Sequence, residues 1–499
     1  MTKRRRRTSH PKRKSPKDPK TKAHEFGGRQ DIISNLPIEI IRQIHSLLPL
    51  KDAARISILS HLWRNIWVSN PNIHLDETDF GANFYKYSDT DKDKRDAFLI
   101  YLQKSLVNRH KCEYDCAVDT LYLRITVEDS IDEFLVENWI DFALQNKVKT
   151  LRLILRTTYS EWFELCNIEF IAATLVELKL EYCEIIDCSF MLPSLKSLFL
   201  DDVCIDDDDF NDLIAGCPRI EKLEIVCPAT VCTMVLSNPR LKFFGLHFPC
   251  CDSNVLIESK NLETLEFSFV CECMCEVEIT YPTTVRELSL QDSYNLESTL
   301  LHYINKFPLL EKLVLPNGTC SCIQVSHQHL TNFVVNVLEE VEEVRIDAPK
   351  LKSFEYTGGL MLFTGIEASR ELEFVHLHLN PEMLNDDWYI CLRDMLESFA
   401  HSKHLRLICK NEQDIIFPNE ITDILLPTIN DLENLELQIE SSTATSQQII
   451  DGFAWILPRL KTLSLTLGSI SKLIEFPDRR REGAFNQEEK LEHERICGE

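Results

Sequence analysis

Cysteines and histidines are the first residues in this sequence to test for chemistry, because they are the usual ligands of zinc. Cys271, Cys273 and Cys275 alternate within one short stretch, and Cys250-Cys251 precede them. On a strand the three thiols would point to one face, where they could share a metal ion. Zinc sites need about four ligands, however, usually as two pairs spaced two to four residues apart, and the sequence has no such second pair. We therefore interpret the cysteines as small apolar residues and expect no metal.

The sequence also shows no recognisable arrangement of catalytic side chains. No Ser–His–Asp or Cys–His arrangement can be drawn without joining scattered positions. Gly358-Gly359 indicates a turn, because a phosphate-binding loop needs a longer glycine motif. The acidic run 206–209 predicts a solvated loop and not a calcium site, because it lacks the spacing and the glycine of an EF-hand loop. We expect a protein that is not an enzyme and has no cofactor.

Charge is distributed very unevenly along the 499 residues, whose formal net charge is −25. Residues 1–22 contain eleven Lys or Arg and one acid, a charge of +10 that leaves −35 for the rest of the chain. So acidic a body is a poor nucleic-acid binder. Residues 1–28 are predicted to be disordered, and their basic clusters 3–7 and 12–14 are typical of a nuclear-import signal or of a tail that only increases solubility.

The composition indicates a globular protein of the nucleus or the cytoplasm. Apolar residues make up 44% of the chain and charged residues 27%. No apolar run approaches the roughly 18 residues of a membrane span, and the N-terminus lacks the apolar core of a secretory signal. Nineteen cysteines, an odd number, are then typical of reduced thiols.

Leucine periodicity organises most of the chain. The pattern Leu-x-x-Leu-x-Leu, with other apolar residues at some positions, recurs at intervals of 20 to 25 residues through ten units, and twice more after longer insertions. This interval is typical of leucine-rich repeats, in which each unit contributes one short strand and stacking produces a continuous core. The insertions 386–400 and 447–457 have helical spacing. The units begin at Leu175, Leu195, Ile220, Leu241, Leu262, Val285, Leu310, Leu330, Leu351, Leu372, Leu432 and Leu460.

The side chains between the repeat leucines would form the exposed concave face of such a solenoid, and we regard them as candidates for binding a protein substrate. The acids among them make an anionic cofactor a poor fit and favour a partner with a basic patch. The candidates are Glu177, His247, Glu266, Glu355, His376, His378 and Glu436.

Residues 31–75 combine three short helical patterns with more apolar side chains than so small a unit can bury. Pro37 suits the start of the first helix, Pro49 ends it, and Ser60 suits the N-cap of the third. Three helices in about 45 residues are near the size below which a core rarely stabilises itself. We expect the module to finish burying its apolar surface on another molecule. The inward candidates of the second helix are Ala53, Ala54 and Ile58.

This stretch resembles the F-box of plant proteins. The resemblance rests on Asp31-x-Ile33-Ser34-x-Leu36-Pro37-x-Glu39-Ile40, Leu47-Leu48-Pro49, Leu59-Ser60 and Trp63-Arg64-x-x-Trp67. The stretch departs from the usual pattern at Ile38, where an acid is common, and at His61-Leu62, where basic-polar pairs are common. A helical cap that only seals the next domain is the alternative.

The resemblance implies docking on a Skp-type adaptor, which joins the chain to cullin and RING subunits. The adaptor-binding candidates that it implies are Leu36, Pro37, Ile40, Ile44, Leu48, Pro49, Leu59, Trp63 and Trp67.

An F-box followed by irregular leucine-rich repeats resembles the plant F-box/LRR-repeat proteins over residues 29–467. The expected fold class is α/β, with a small N-terminal three-helix F-box followed by a curved leucine-rich-repeat solenoid. The resemblance implies a substrate-recognition subunit of an SCF-type cullin–RING ubiquitin ligase. A repeat scaffold without ligase output and a nuclear nucleic-acid-binding protein that uses the basic tail are the alternatives. The expected domains are the basic tail 1–28, the F-box 29–75, a linker and connecting helix 76–117, the repeats 118–470 and a charged tail 471–499.

Overall fold

The computed structural model divides the chain into two compact units, Met1–Val68 and Ser69–Glu499. The predicted basic tail and Asp31, Ile33 and Ser34 of the F-box pattern lie outside the residues that the structure describes. The described residues are 36–48, 50–81, 89–110, 118–158, 162–166, 168–227, 230–231, 233–248, 254–269, 276–292, 296–316, 318–336, 338–339, 341–381, 384–418, 421, 429, 432–442, 444–454, 456–476 and 495–496.

The first unit contains the three predicted helices, α1 (Ile38–Ser46), α2 (Leu50–Ile56) and α3 (His61–Val68). Pro37 stands at the N-cap of α1, where its missing N–H costs no hydrogen bond. The hydroxyl of Ser60 accepts a hydrogen bond from the backbone N–H of Trp63 at 3.3 Å, as an N-cap does.

The core of this first unit is small. Ala53 is buried, as predicted, but Ile58 is 84% exposed, so its predicted inward position is wrong. Ile58 lies in the turn after α2, where helical periodicity no longer decides which way a side chain points. So few buried residues leave the unit with apolar surface that it does not cover itself. The core consists of Ile41, Trp63 and Ile66, with Leu36, Ile44, Ile56 and Leu62 partly buried against them.

The second unit is built on one large sheet to which each repeat contributes a strand. Neighbouring strands are parallel from the first strand to β28, and β29 and β30 are then added antiparallel. Numbered in chain order through all sheets, its strands are β1 (Asn72–Asp76), β2 (Thr120–Val127), β3 (Thr150–Thr157), β6 (Glu177–Glu181), β9 (Ser197–Asp201), β10 (Lys222–Val226), β12 (Phe243–His247), β14 (Thr264–Phe269), β16 (Glu287–Asp292), β17 (Lys312–Leu315), β18 (Gly318–Thr319), β20 (Asn332–Asn336), β21 (Leu338–Glu339), β23 (Ser353–Gly358), β25 (Phe374–Leu379), β26 (His404–Asn411), β27 (Asn434–Ser441), β28 (Thr462–Leu467), β29 (Ile470–Glu475) and β30 (Arg495–Ile496).

Neighbouring strands pair in register, so that equivalent positions of successive repeats form straight rows across the sheet. Leu178, Leu198 and Leu223, for example, are direct partners in one buried row. Because side chains alternate along a strand, the leucines of each unit face the core and the residues between them face away from it. We call that second face the open face. The first apolar residue of every predicted unit is also buried, which confirms the repeat assignment.

The strands of the large sheet that were not predicted as part of it include β26 and β1. β26 lies between the units predicted at Leu372 and Leu432, and Ser402 occupies the place of its leading leucine, so the six-residue pattern is broken there. Leu405, Leu407 and Cys409 of β26 nevertheless alternate on the buried side. β1 pairs with β2, so the sheet begins before residue 118 and inside the bounds expected for the F-box.

Smaller parallel sheets complete the repeats, and several helices pack on their strands. The smaller sheets contain β4 (Phe163–Cys166), β5 (Glu169–Ile171), β7 (Cys183–Ile186), β8 (Ser189–Met191), β11 (Thr233–Leu236), β13 (Asn254–Ile257), β15 (Glu276–Ile279), β19 (Cys322–Ser326), β22 (Glu343–Asp347) and β24 (Leu362–Thr364). The helices are α4 (Asp89–His110), α5 (Ser130–Gln145), α6 (Asp207–Ala215), α7 (Leu296–Ile304), α8 (Asp386–Ser398) and α9 (Ser446–Ala454).

The two predicted helical insertions are present as α8 and α9, whereas the acidic run 206–209 is not a loop. Asp206 accepts a hydrogen bond from the backbone N–H of Asp209 at 2.8 Å and caps α6. The following aspartates occupy the first turn of that helix, where negative charge is favourable. The prediction of a solvated loop is therefore wrong.

The expected linker carries a buried ion cluster. Arg95 of α4 donates hydrogen bonds to the carboxylate of Asp132 and, at 2.8 Å, to the carbonyl of Thr126. Glu77 accepts a hydrogen bond from the backbone N–H of Thr126 at 2.7 Å, and burial raises the pKa of its carboxyl. These contacts join α4 and the 3-10 helix Glu77–Phe80 to β2 and α5.

At the C-terminal end, β28 and β29 form a hairpin around Gly468, whose φ of +55° suits a residue without a Cβ. The sheet therefore extends past residue 470, the expected limit of the repeats. No helix among the described residues combines the length and the apolar character that crossing a membrane requires.

Candidate functional site

The first unit presents large apolar side chains to solvent. Leu47 is 79% exposed, Leu59 is 76% exposed and Ile40 is 42% exposed, in addition to Ile58. They lie on α1 and on the turns after α1 and α2. Single exposed apolar residues are common on protein surfaces, but several on so short a segment mark a docking surface.

The nine residues predicted to bind an adaptor occupy different environments. Pro37, Ile40 and Leu59 are exposed, whereas Trp63 lies in the core of the unit and supports the surface from behind. Pro49 lies outside the described residues. Leu36, Ile44, Leu48 and Trp67 are half-buried.

Leu47 and Ile58 are strongly exposed apolar residues that were not predicted as adaptor contacts. Leu47 belongs to the F-box pattern itself, and Ile58 directly precedes Leu59 of that pattern. A turn that contains two or three consecutive apolar residues must expose some of them, which was the available signal.

His45 is buried in the last turn of α1. Its ring meets the edge of Trp67 with centroids 5.5 Å apart. Its Nε2 makes no hydrogen bond with any residue that the structure describes, and burial lowers the pKa of the imidazole. The ring is therefore held in its neutral form.

In the second unit, all seven predicted substrate-binding residues lie on the open face of the large sheet. Each occupies a strand position that alternates with buried apolar residues. Several are already paired within the sheet. Glu177 accepts a hydrogen bond from Arg152 at 2.6 Å, Glu436 lies 3.4 Å from the Arg406 guanidinium, and Glu355 lies 3.8 Å from His376.

His247 lies in a polar line that crosses four strands. Its Nε2 is 3.9 Å from a carboxylate oxygen of Glu224, and its Nδ1 is 2.8 Å from the hydroxyl of Ser268. Ser268 continues the line to Gln291 at 3.4 Å. The sequence alone does not connect these residues, because each is one repeat away from the next.

A carboxylate, an imidazole and a hydroxyl in this order also occur in serine hydrolases, but the geometry here does not support that chemistry. Ser268 is only 3% exposed, so its hydroxyl is closed to a substrate. Burial lowers the pKa of His247, and Glu224 partly opposes that effect. The line therefore serves to hold the His247 ring in place on the open face.

Aromatic rings on the open face are covered by lysines of neighbouring strands. Lys179 lies 3.9 Å from the ring centroid of Phe199, and Lys222 lies 4.5 Å from that of Phe243. Each lysine also pairs with a carboxylate two residues further along its own strand, at distances of 2.8 and 3.0 Å. These lysines are therefore satisfied within the sheet.

Among the described residues, no group of three or more His, Cys, Asp or Glu side chains is placed to hold a metal ion. The alternating cysteines 271–275 and Cys250-Cys251 lie outside the described part of the chain. His327 is buried, and its Nε2 lies 2.9 Å from the carbonyl oxygen of Phe307.

Comparison with known proteins finds one family match over the helical segment and another within the second unit. The F-box domain family matches residues 33–75, and the LRR repeats of FBD-associated F-box protein At5g56370 match residues 136–282. Both matches coincide with segments described above: the helical unit with its exposed apolar residues, and part of the large repeat sheet.

Similar proteins from Arabidopsis thaliana carry the same combination in their names. The chain is 31% identical to F-box/LRR-repeat protein 13 over 48% of its own length and 52% of the relative's. It is 30% identical to F-box/FBD/LRR-repeat protein At5g44980 over 44% and 49%, and 32% identical to F-box/FBD/LRR-repeat protein At1g78750 over 44% and 47%. The chain thus spans about half the length of these relatives. It combines an F-box with leucine-rich repeats, as the Arabidopsis F-box/LRR-repeat proteins do.

Proposed function

We propose that the chain is the substrate-recognition subunit of an SCF-type cullin–RING ubiquitin ligase. Its F-box docks on a Skp-type adaptor, and the open face of its repeats binds a protein substrate. The family matches support this general role. The observation that carries the docking step is the exposed apolar set Ile40, Leu47, Ile58 and Leu59 on a unit whose own core is very small.

In this proposal the chain performs no chemistry. It holds a lysine of the substrate at high local concentration next to a conjugating enzyme that the cullin and RING subunits bring in. Proximity alone accelerates transfer, so the repeat surface needs affinity and orientation but no catalytic group. The basic tail then acts as a nuclear-import signal.

Capture of a Skp-type adaptor and a cullin by the full-length chain tests the docking step. We expect the double substitution Ile58→Ser and Leu59→Ser to abolish capture, because desolvated apolar anchors supply most of the energy of such interfaces. Both side chains are exposed, so the change should leave the helices folded.

The matched control is Ile131→Ser with Phe134→Ser, which removes two comparably exposed apolar residues, 67% and 62%, from α5. That variant should capture the adaptor like the unmodified chain. Capture by neither the unmodified chain nor the control, or capture that survives the F-box substitution, would contradict the proposed docking surface.

A repeat scaffold without ligase output is the second candidate, because the open face itself needs no ligase to bind a protein. Reconstitution with adaptor, cullin, RING subunit and conjugating enzyme separates the two functions. Ubiquitin transfer to a protein bound by the repeats supports the ligase role, and adaptor binding without any transfer supports the scaffold.

A further inference from the structure

Five successive register partners on the open face have a carboxylate at each end and a neutral, partly apolar centre. These residues, which we call the row, are Glu266, Ser289, Val314, Val334 and Glu355 of β14, β16, β17, β20 and β23. The same line of partners continues through Gly245 and Glu224 on one side and through His376, Arg406 and Glu436 on the other. Both valines are half-buried and face away from the core, where most equivalent positions carry polar side chains.

Among the residues that the structure describes, neither end carboxylate forms an ion pair with a Lys or Arg. Glu266 forms no ion pair with a described residue, because the nearby Lys222 and Lys312 are bound to Glu224 at 3.0 Å and Glu287 at 2.5 Å. Burial raises the pKa of Glu266, as expected for a carboxyl that lacks a compensating charge.

Glu355, at the other end, contacts only the imidazole of His376 among the charged groups that the structure describes. That contact, at 3.8 Å, is an ion pair only when the histidine is protonated. The Glu355 side chain is 49% exposed, so a partner can reach it.

We infer that this row binds an extended basic–apolar–basic segment of a protein partner, which lies across the strands with a Lys or Arg over Glu266, another over Glu355 and apolar side chains over the two valines. The inference rests on the proposed function in identifying that partner as the substrate. The charge of −35 on the chain after residue 22 also favours a positively charged partner.

The dimensions of the sheet set the spacing of that segment. Four strand-to-strand steps of about 4.8 Å separate Glu266 from Glu355, which makes about 19 Å. An extended chain advances about 3.3 Å per residue, so the two basic residues are about six positions apart. Alternate side chains of the segment face the sheet, which gives the order Arg-x-apolar-x-apolar-x-Arg.

The probe for the test is a fluorescent peptide of sequence Arg-Ser-Val-Ser-Val-Ser-Arg, with its ends blocked, titrated with the full-length chain at low ionic strength. We expect Glu266→Gln and Glu355→Gln each to weaken binding about threefold to tenfold, and both together to weaken it further. Binding should also weaken as salt is added. Val334→Asn should weaken binding at every salt concentration.

Glu433→Gln is the matched control, because the Glu433 side chain is similarly exposed, lies outside the row and is paired with Lys461 at 2.6 Å. A peptide of the same composition with its two arginines adjacent controls for general attraction to an acidic protein. Failure of the first peptide to bind, equal binding of the second, unchanged affinity in Glu266→Gln and Glu355→Gln, or an equal loss in Glu433→Gln would each overturn the inference.

Adaptor capture is measured on the same variants. None of them alters the F-box, so capture should be unchanged. If the unmodified chain captures the adaptor but does not bind the peptide, only the inference about the row is overturned. If the unmodified chain captures no adaptor, the proposed function is overturned.

Discussion

The buried imidazole of His45 makes the first unit sensitive to acid. Burial lowers its pKa, so the folded unit holds it neutral, while the unfolded chain can protonate it below its ordinary pKa of about 6.5. The unfolded state therefore binds more protons as the pH falls. Stability that is present above about pH 6.5 is progressively lost below it.

We expect the opening equilibrium of α1 and α3 to rise by up to about tenfold between pH 7.5 and pH 5.5, the limit reached if the buried ring never protonates. Hydrogen exchange of the full-length chain, corrected for intrinsic rates, measures this. His45→Leu should remove most of the dependence because it removes the titrating group. An equal dependence in that variant would assign the effect to other groups.

Gly245 shows how one absent side chain shapes the open face. A Cβ at this position would lie 3.2 Å from Glu224, His247 and Phe243 side-chain atoms alike. The approach of His247 to Glu224 therefore depends on a glycine between them. Glycine spacing alone could not reveal this in the sequence, because the atoms that approach come from two different repeats.

At the scale of elements, local patterns predicted the helices of the first unit well but not the sides that they bury. Pro37 and Ser60 mark helix starts by chemistry that is local to the chain. Which apolar residues point inward depends on how three very short helices pack together. Trp63 therefore entered the core and Ile58 became exposed although both were apolar candidates.

The repeats carry a second pattern, a charged residue directly before many of the strands of the large sheet. Along the row from β9 to β12, Glu221 lies between Lys196 at 3.5 Å and Lys242 at 3.3 Å. Opposite charges also meet in this row at Lys149–Asp119, Arg286–Glu311, Lys403–Glu373 and Lys461–Glu433. Alternating signs favour the correct stacking of neighbouring repeats and oppose a stacking shifted by one repeat.

Reversing one charge in this row tests its role. Glu221→Lys would place three cations in sequence, so we expect a few-fold faster amide exchange in β9, β10 and β12, reduced by 0.5 M salt because the pairs are exposed. Adding Lys196→Glu restores one pair of opposite charges and leaves Lys242 beside Glu263, so it should restore part of the slow exchange. A double variant as labile as the single one would show that the charges do not act as a row.

At the scale of the whole molecule, the large sheet could be predicted because one constraint repeats. Each unit must bury its leading apolar residue and two alternating ones, so the spacing survives in the sequence wherever those residues are leucines. Where a serine replaces the leading leucine, as at Ser402, the strand forms through its neighbours and the pattern disappears. The row from Glu266 to Glu355 could not be predicted from the sequence for a related reason, because only the pairing register of the strands places its members side by side.

The continuous core also determines how far the destabilisation caused by one core substitution extends through the repeats. Phe354 is fully buried, and its ring lies 5.6 Å from Phe333, 5.5 Å from Phe363 and 5.1 Å from Phe399. We expect Phe354→Ala to lower the free energy of unfolding by about 3–5 kcal/mol through lost burial and the cavity left behind.

Because each repeat contacts mainly its neighbours, the loss should appear as faster hydrogen exchange in β20, β23 and β25, with little change in β3 and β6. Phe374→Ala, on a ring that is 46% exposed on the open face, is the control and should change exchange far less. A uniform rise throughout the second unit after Phe354→Ala would show instead that the repeats open as one cooperative block. Binding at the row from Glu266 to Glu355 would then depend on the integrity of every repeat and not only of those beneath it.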